Sequence, residues 1–247
     1  MVKTLQSILR RFRRRKPPGA AAGDTPQFSI IIPVCHPGAK LQKSLESLLA
    51  QPGATIQVLV AEYGECPEAR AAMEAFSGDL THIHMDAPGV YRGMNEGMAR
   101  ATGRIFYFLG AGDRLRPGIL AEIHAAYRWS GSLLVYGDVF MEDLQIIYDG
   151  PFDAKKLRKK NICHQAIFYS RRVFEQHGSY DLRYPLLADY AYNLRVFGDP
   201  GTEKHYRAST IADYEGGGLS ANGHDEAFMK DRAGLNQRYL PLKQGKV

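Results

Sequence analysis

Short apolar runs alternate with amphipathic segments along the first half of the chain. Residues 28–34 (FSIIIPV) form a continuous β-branched run that stops at a Pro/Gly segment, as is typical of a strand buried on both faces. Leucines in the next segment recur at helical spacing and predict a helix over 39–50. The same alternation predicts further strands at 56–61, 80–84 and 104–109, and helices at 67–76 and 92–101. This order predicts a doubly wound, mostly parallel α/β sheet flanked by helices, in a single domain.

Residues at the carboxyl ends of the predicted strands are the first candidates for a ligand-binding site. Ligands of doubly wound folds bind outside the carboxyl ends of the parallel strands. In this chain those ends carry Pro33, Glu62, Asp86 and Asp113. We therefore expect a ligand-binding edge built from these four positions.

The N-terminal segment has a different character from the rest. Residues 1–16 combine apolar side chains at helical spacing with seven Lys and Arg residues and no acid, which predicts a basic amphipathic helix on an anionic membrane surface. A solvated basic tail is the alternative. Residues 17–26 (PPGAAAGDTP) have the composition of a linker, which leaves 27–214 for the domain and 215–247 for a glycine-rich segment and a C-terminal helix.

Charge and cysteine content narrow the functional class. The net charge of the whole chain is +6, and because the tail holds seven cations, the remainder is close to neutral. We therefore expect no nucleic-acid partner. The three cysteines are far apart, so neither a disulfide framework nor a zinc site is predicted. The lack of a long apolar run or a leader-like start predicts a cytoplasmic protein, peripheral at the inner face of the membrane.

Several segments together resemble the inverting GT-A glycosyltransferases of the large glycosyltransferase family 2, particularly those of bacterial polysaccharide assembly. The matching segments are SIIIPV at 29–34, APGVYRGMNEGMARATGRIFYFLGAGD at 87–113, VYGDV at 135–139, CHQAIFYSRRVFEQHGSYD at 163–181 and LADYAYNLRVF at 187–197. Each segment is weak evidence alone, but their order and their spread over most of 28–220 make the resemblance specific. It implies a GT-A fold and a nucleotide-sugar donor, UDP-linked.

The resemblance assigns the two central acids. Asp113 falls at the family's metal-binding acidic motif, which is reduced here to Gly110-Ala111-Gly112-Asp113, so a single carboxylate would hold Mn²⁺ or Mg²⁺ together with the donor diphosphate. Asp189 falls where the family places the catalytic base that takes the proton of the acceptor hydroxyl. The structural alternatives are an exposed turn aspartate at 113 and a helix N-terminal acid at 189.

Other positions are assigned less specifically. Glu62 and Asp86 are candidates for nucleotide recognition, with a loop glutamate and a turn aspartate as the alternatives. The Tyr91-Arg92-Gly93-Met94-Asn95 segment supplies two more candidates for donor binding, Arg92 and Asn95. Arg92 either compensates near the diphosphate for the missing second acid or is a solvated first-turn arginine.

Two segments later in the chain complete the assignment. The pair His164-Gln165 is predicted to line the acceptor side, with a buried histidine as the alternative. The segment 215–220 (EGGGLS) either closes over the diphosphate or is a plain linker.

The predicted function is inverting, metal-dependent transfer of a hexosyl group from a nucleotide sugar to a glycan or lipid-linked acceptor in surface polysaccharide assembly. A sugar-phosphate nucleotidyltransferase would need a glycine-rich basic loop after the first strand, and PVCHPG at 33–38 does not provide one. A catalytically degenerate sugar-nucleotide-binding or scaffolding subunit is the remaining alternative. Gly110 and Gly112 leave it open.

Overall fold

A computed structural model describes residues 25–35, 40–216 and 223–241. The predicted tail over 1–16, most of the linker and most of the glycine-rich segment lie outside these residues. None of the described helices has the length and apolar character needed to cross a membrane.

The first half of the domain follows the predicted alternation of strands and helices. The predicted elements agree with the observed ones to within about two residues, and the mostly parallel α/β fold is confirmed. The elements are β1 (Phe28–Val34), α1 (Leu41–Leu49), β2 (Ile56–Tyr63), α2 (Pro67–Ala75), β3 (Leu80–Met85), α3 (Val90–Arg100) and β4 (Ile105–Phe108).

The second half adds antiparallel strands and the remaining helices. Its strands are β5 (Arg114–Leu115), β6 (Leu133–Met141), β7 (Ile146–Tyr148), β8 (Ile167–Ser170) and β9 (Glu203–Tyr214). Its helices are α4 (Ile119–Ala126), α5 (Ala154–Leu157), α6 (Arg171–His177), α7 (Ala188–Gly198) and α8 (Glu226–Tyr239), with a 3₁₀ turn at His164–Ala166.

One sheet joins all of these strands. Its order is β3-β2-β1-β4-β8-β6-β9-β5, and β7 pairs with β6 outside this path. The strands β3, β2, β1 and β4 are parallel neighbours, whereas β8 is antiparallel to both β4 and β6. Because β8 reverses direction between them, β4 and β6 run the same way, and β9 continues parallel to β6. The carboxyl ends of β1, β2, β4, β6 and β9 therefore lie at one edge.

Both faces of the sheet are buried. Ile31 belongs to the apolar cluster on one face, and its neighbours Ile30 and Ile32 belong to the cluster on the other. Successive side chains of a strand point to opposite faces, so a central strand covered on both sides must be apolar at every position. This explains the continuous run at 28–34.

Helix α3 lies unusually close to β1. A Cβ atom at Gly97 would stand 2.5 Å from Cγ2 of Ile31, so only glycine permits this approach. The close packing places the start of α3, with Tyr91, at the carboxyl edge of the sheet.

Candidate active site

A cleft opens at the carboxyl edge of β1 and β4. Residues from both halves of the chain line it: Pro33, Val34, Cys35, Val90, Tyr91, Met94, Gly110, Ala111, Asp113, His164, Gln165, Pro185, Leu186, Tyr214, Glu215 and Gly216. Pro33, Asp113, His164 and Gln165 were predicted as site residues, and the structure brings all four into this cleft.

Asp113 is held at the end of the turn that follows β4. Its Oδ2 accepts a hydrogen bond from Nε2 of Gln165 at 2.6 Å, and its Oδ1 accepts one from the backbone N–H of Glu215 at 3.0 Å. Burial raises the pKa of Asp113 above its usual value, and these hydrogen bonds oppose the shift. Only 5% of the residue is exposed, so it is not the solvated turn aspartate of the alternative interpretation.

The glycines of this turn make room for carboxylates. A Cβ at Gly110 would collide with Oδ2 of Asp113, and a Cβ at Gly112 would stand 2.6 Å from Oε2 of Glu215. Gly112 also has a φ of +112°, which favours glycine. The turn is fixed by Ser44 of α1, whose hydroxyl donates to the Gly110 carbonyl at 3.0 Å and accepts from the Gly112 N–H at 2.9 Å. Glu215 thus brings a second carboxylate to the turn.

Two lysines hold Glu215 in place. Its Oε1 lies 2.5 Å from Nζ of Lys40 and 3.4 Å from Nζ of Lys43. Partial burial favours the neutral acid, but the two lysines outweigh it and lower the pKa of Glu215 below its usual value. This part of the cleft therefore carries an ionised carboxylate together with two ammonium groups.

Asp189 lies in the first turn of α7, directly behind Tyr91 of the cleft lining. Its Oδ1 accepts hydrogen bonds from the Tyr91 hydroxyl at 2.6 Å and from the Tyr190 N–H at 2.8 Å, and its Oδ2 accepts one from Nδ2 of Asn161 at 2.8 Å. Burial raises the pKa of Asp189, while the charge of His164 and these donors oppose the shift. Asp189 is 5% exposed.

A chain of hydrogen bonds extends from Asp189 into the core. The Tyr169 hydroxyl donates to Oδ1 of Asn193 at 2.6 Å, and Nδ2 of Asn193 donates to Oδ1 of Asn161 at 2.9 Å. Asn161 then donates to Asp189, so every donor in the chain points toward the carboxylate. Such an arrangement fits an ionised carboxylate, which only accepts hydrogen bonds.

His164 lies between the two aspartates. It lines the cleft, and its Nδ1 is 3.9 Å from Oδ2 of Asp189. A positive charge on its ring would lower the pKa of both Asp113 and Asp189. The neighbouring Gln165 is fixed by the Tyr107 hydroxyl, which donates to its carbonyl at 2.6 Å.

The remaining predicted residues lie outside the lining of the cleft. Glu62 is buried and bonds the Cys66 N–H at 3.1 Å and the His82 ring at 2.8 Å, so it fastens the loop after β2. Asn95 exchanges two 3.0 Å hydrogen bonds with the backbone of Tyr180. Asp86 and Arg92 are exposed. Their assigned roles stay predictions.

Asp113 and Glu215 are the groups that can hold a divalent cation. Among the described residues no group of three or more His, Cys, Asp or Glu side chains is arranged to hold a metal. A carboxylate offers about four lone-pair positions, so Asp113 keeps about two beyond its two N–H donors. Mg²⁺ is commonly bound through one or two carboxylates together with substrate phosphates, and the turn fits that kind of site.

Two contributions to the site were missed in the sequence. Asn161 follows a lysine-rich run and carries no local signal of its contact with Asp189. The second carboxylate of the turn comes from Glu215, about a hundred residues beyond Asp113, and the pairing of β5 with β9 brings it there. Residues far apart in the chain give no spacing pattern that would reveal such a pair.

Comparison with known proteins identifies relatives in sequence and in fold. The model of glycosyl transferase family 2 matches residues 29–178. A "PGL/p-HBAD biosynthesis glycosyltransferase" of Mycobacterium tuberculosis is 39% identical over 213 residues, which are 83% of each chain.

The solved structures are related in fold alone, at 11–12% identity. The S. aureus TarS 1-349 structure in complex with UDP superposes with a TM-score of 0.63 over 89% of this chain and 73% of that one. The mannosyltransferase PcManGT of Pyrobaculum calidifontis, in complex with GDP-Man and Mn²⁺, gives 0.58 over 94% and 68%. In a further TarS structure, the match spans 43% of the TarS chain.

Proposed function

The chain belongs to glycosyl transferase family 2, and from that premise we propose that it transfers a sugar, with inversion, from a UDP-linked donor to a hydroxyl of a glycan or lipid-linked acceptor. The activity as a glycosyltransferase follows from the family and from the 39% identity to a curated glycosyltransferase. The UDP-linked donor is supported by the UDP named for the TarS complex of the same fold. The proposed setting is the assembly of a bacterial surface polysaccharide, with the protein peripheral at the inner face of the membrane.

A single geometric observation carries the mechanism. Asp113 and His164 line one cleft, and Asp189 lies behind its lining with Oδ2 3.9 Å from Nδ1 of His164. An inverting transfer needs a group that stabilises the leaving diphosphate on one face of the sugar and a base for the acceptor hydroxyl on the other. We assign the first role to Asp113 and the second to Asp189.

On the acceptor side, Asp189 is the proposed general base. It is oriented by three donors and is assigned the proton of the acceptor hydroxyl, and His164, which faces the cleft, lies 3.9 Å from it. Loss of that proton makes the hydroxyl oxygen the nucleophile that attacks the anomeric carbon as the nucleoside diphosphate departs. Gln165 lines the same cleft and is proposed to bind the acceptor.

On the donor side, Asp113 is the proposed ligand of Mn²⁺ or Mg²⁺, with Glu215 beside it. A divalent cation supplies neutralisation of the charge that develops on the leaving diphosphate, without a proton transfer. Lys40 and Lys43 stand close enough to Glu215 to add positive charge in this part of the cleft. Pro33, Glu62, Asp86, Arg92 and Asn95 remain proposed contributors to donor binding.

Two substitutions separate donor binding from proton transfer. Asp113→Asn should weaken metal-dependent binding of UDP-sugar and lower transfer, whereas Asp189→Asn should keep near-normal donor affinity and lose about 10²–10⁴ in rate. Calorimetric titration of UDP-sugars with Mn²⁺, beside a transfer assay, measures both. Asp138→Asn is a matched control, because it changes a buried carboxylate of β6 that lies outside the cleft lining and has no proposed role in donor binding.

The same experiment distinguishes the proposed enzyme from a non-catalytic scaffold. A scaffold would bind the donor in the titration but show neither transfer nor metal-dependent hydrolysis of any nucleotide sugar. Transfer by Asp189→Asn within about tenfold of the unsubstituted protein would contradict the base assignment.

A further inference from the structure

A cluster of exposed aliphatic side chains projects from the sheet at the β6–β7 hairpin. Leu144, Ile146 and Ile147 are 59%, 47% and 64% exposed. Among the described residues, four large hydrophobic side chains are at least 47% exposed, and three of them fall within residues 144–147. Ile146 and Ile147 are successive residues of β7 and point to opposite faces, so together with Leu144 in the turn they make both faces of this end of the hairpin apolar. Scattered apolar side chains are normal on a surface, whereas several grouped at one end of a hairpin mark an interaction site.

The hairpin holds these side chains on an ordered scaffold. Ile146 pairs with Met141 and Ile147 with Phe140 in the antiparallel ladder. The turn between the strands is closed by its own hydrogen bonds, from Nε2 of Gln145 to the Glu142 carbonyl at 2.7 Å and from the Leu144 N–H to Oδ1 of Asp143 at 2.9 Å. The apolar tip is therefore presented in a fixed position.

Basic side chains surround the base of the hairpin. Lys160 lies with its Nζ 4.2 Å from the centre of the Tyr148 ring and 2.6 Å from Oδ2 of Asp149. The same short segment, 155–160, also presents Lys155 and Lys159, which are exposed and form no ion pair with any described residue. Aliphatic side chains at a projecting tip with lysines behind them match the interface of an anionic bilayer, where apolar groups enter and cations remain at the headgroups.

The hairpin also borders the cleft. The Asp143 carboxylate lies against Gly216, where a Cβ would collide with it, and Gly216 lines the cleft. On the other strand, the Tyr148 hydroxyl donates to the Asn161 carbonyl at 3.0 Å, and Asn161 bonds Asp189. A surface on which the hairpin rests would therefore lie beside the acceptor side of the site.

We propose that the β6–β7 hairpin, with Leu144, Ile146 and Ile147 at its tip and Lys155 and Lys159 at its base, docks the domain on an anionic lipid bilayer so that a lipid-borne acceptor reaches the cleft. The inference rests on the proposed function for its acceptor and selects the lipid-linked class. A protein partner fits less well, because protein interfaces are enriched in aromatic residues, Met and Arg and depleted in Lys. The docking surface is separate from the tail over 1–16.

Tryptophan fluorescence in the full-length chain tests the docking directly. The chain has one tryptophan, Trp129, and its Nε1 has no hydrogen-bond partner among the described residues. Trp129→Phe therefore removes the tryptophan fluorescence of the protein without breaking a hydrogen bond. In that background, Ile147→Trp reports on the hairpin. Leu49→Trp is the matched control, since Leu49 is 57% exposed at the end of α1 that is remote from Lys40.

The probe is a vesicle of equal parts zwitterionic and anionic phospholipid with brominated acyl chains. We expect the emission of Ile147→Trp to shift to the blue and fall by about half or more, while that of Leu49→Trp is unchanged, because only the hairpin enters the apolar layer. If the protein sediments with the vesicles but Ile147→Trp is not quenched, another segment makes the contact and the proposal is wrong. A blue shift that needs no vesicles and rises with protein concentration would indicate a second copy, and would equally overturn it.

A double charge reversal tests the role of Lys155 and Lys159. Lys155→Glu/Lys159→Glu should lower the partition coefficient onto the anionic vesicles by about tenfold or more, since each lysine near the surface contributes electrostatic attraction. Arg104→Glu/Arg128→Glu makes the same charge change at exposed positions beside the amino end of β4 and should have less effect. Equal losses from the two pairs would contradict the proposal. Titration of UDP-sugar without lipid shows separately whether the proposed function holds.

Discussion

Replacing Tyr91 by Phe isolates the hydrogen bond that tunes the proposed base. The Tyr91 hydroxyl lies 2.6 Å from Oδ1 of Asp189 and 3.0 Å from the Leu186 carbonyl. The substitution removes one oxygen and keeps the aromatic ring that packs in the core. Burial already raises the pKa of Asp189, and the Tyr91 hydroxyl is one of the groups that oppose this shift.

The size of the effect follows from the difference between two hydrogen bonds. A hydrogen bond to a charged group contributes about 1.5–3 kcal/mol and one to a neutral group about 1 kcal/mol. Loss of the donor should therefore destabilise the ionised form of Asp189 relative to the neutral form by about 0.5–2 kcal/mol, which raises the pKa of Asp189 further. The base works when ionised, so the fall of activity on the acidic side should move to higher pH.

The assay is the pH dependence of kcat/KM, which reports groups of the free enzyme. Tyr180→Phe is the matched control, because the Tyr180 ring lies beside that of Tyr91, with the ring centres 5.3 Å apart, and its hydroxyl makes no hydrogen bond to Asp189. We expect the acidic limb to move in Tyr91→Phe and to stay in Tyr180→Phe. An unmoved limb in Tyr91→Phe, with activity retained, would refute the assignment of Asp189 as the titrating base.

Three further predictions concern stability and donor binding. Gly97→Ala should lower the free energy of unfolding by about 1–3 kcal/mol, because its Cβ meets Ile31. Gly234→Ala, in open space on α8, should be neutral or stabilising. Urea unfolding of both variants checks this difference. Asp189→Asn should gain in melting temperature relative to the unsubstituted protein as the pH rises from about 4 to 7. The pKa of Asp189 is raised in the folded state, so protonated Asp189 stabilises the fold at pH values below its usual pKa of 3.8. This stabilisation is lost as the pH rises through the raised pKa, and Asp189→Asn, which does not titrate, avoids the loss. Arg92→Ala should weaken donor binding more at limiting than at saturating Mn²⁺; an identical loss at all Mn²⁺ concentrations would show that Arg92 does not share the diphosphate with the cation.

The parallel half of the fold was predictable because its burial is simple. A strand covered on both faces, such as β1, must be apolar throughout, and the sequence at 28–34 has that pattern. The family resemblance is confirmed by the match over residues 29–178. It placed Asp113, His164 and Gln165, which the structure brings into one cleft. These residues follow strands or turns whose ends meet at one edge.

Two strands of the second half resisted prediction because they are only partly buried. Most positions of β9 are half-buried, and the side chains of β7 are half-buried to exposed, so neither strand has the clean apolar pattern of β1. The lysine-rich run at 155–160 is visible in the sequence, but nothing local shows that its Lys160 lies against Tyr148 of the β6–β7 hairpin.

The reduced acidic motif has a different meaning in three dimensions than in sequence. Gly110 and Gly112 suggest a site that has lost its acids, which was the basis for the scaffold alternative. In the structure, a side chain at Gly110 would collide with Asp113, and one at Gly112 would meet the Glu215 carboxylate. The turn therefore has two carboxylates beside it, one from its own sequence and one from the end of β9. Gly110 and Gly112 leave the space that these two carboxylates occupy, so their presence does not argue against a catalytic site.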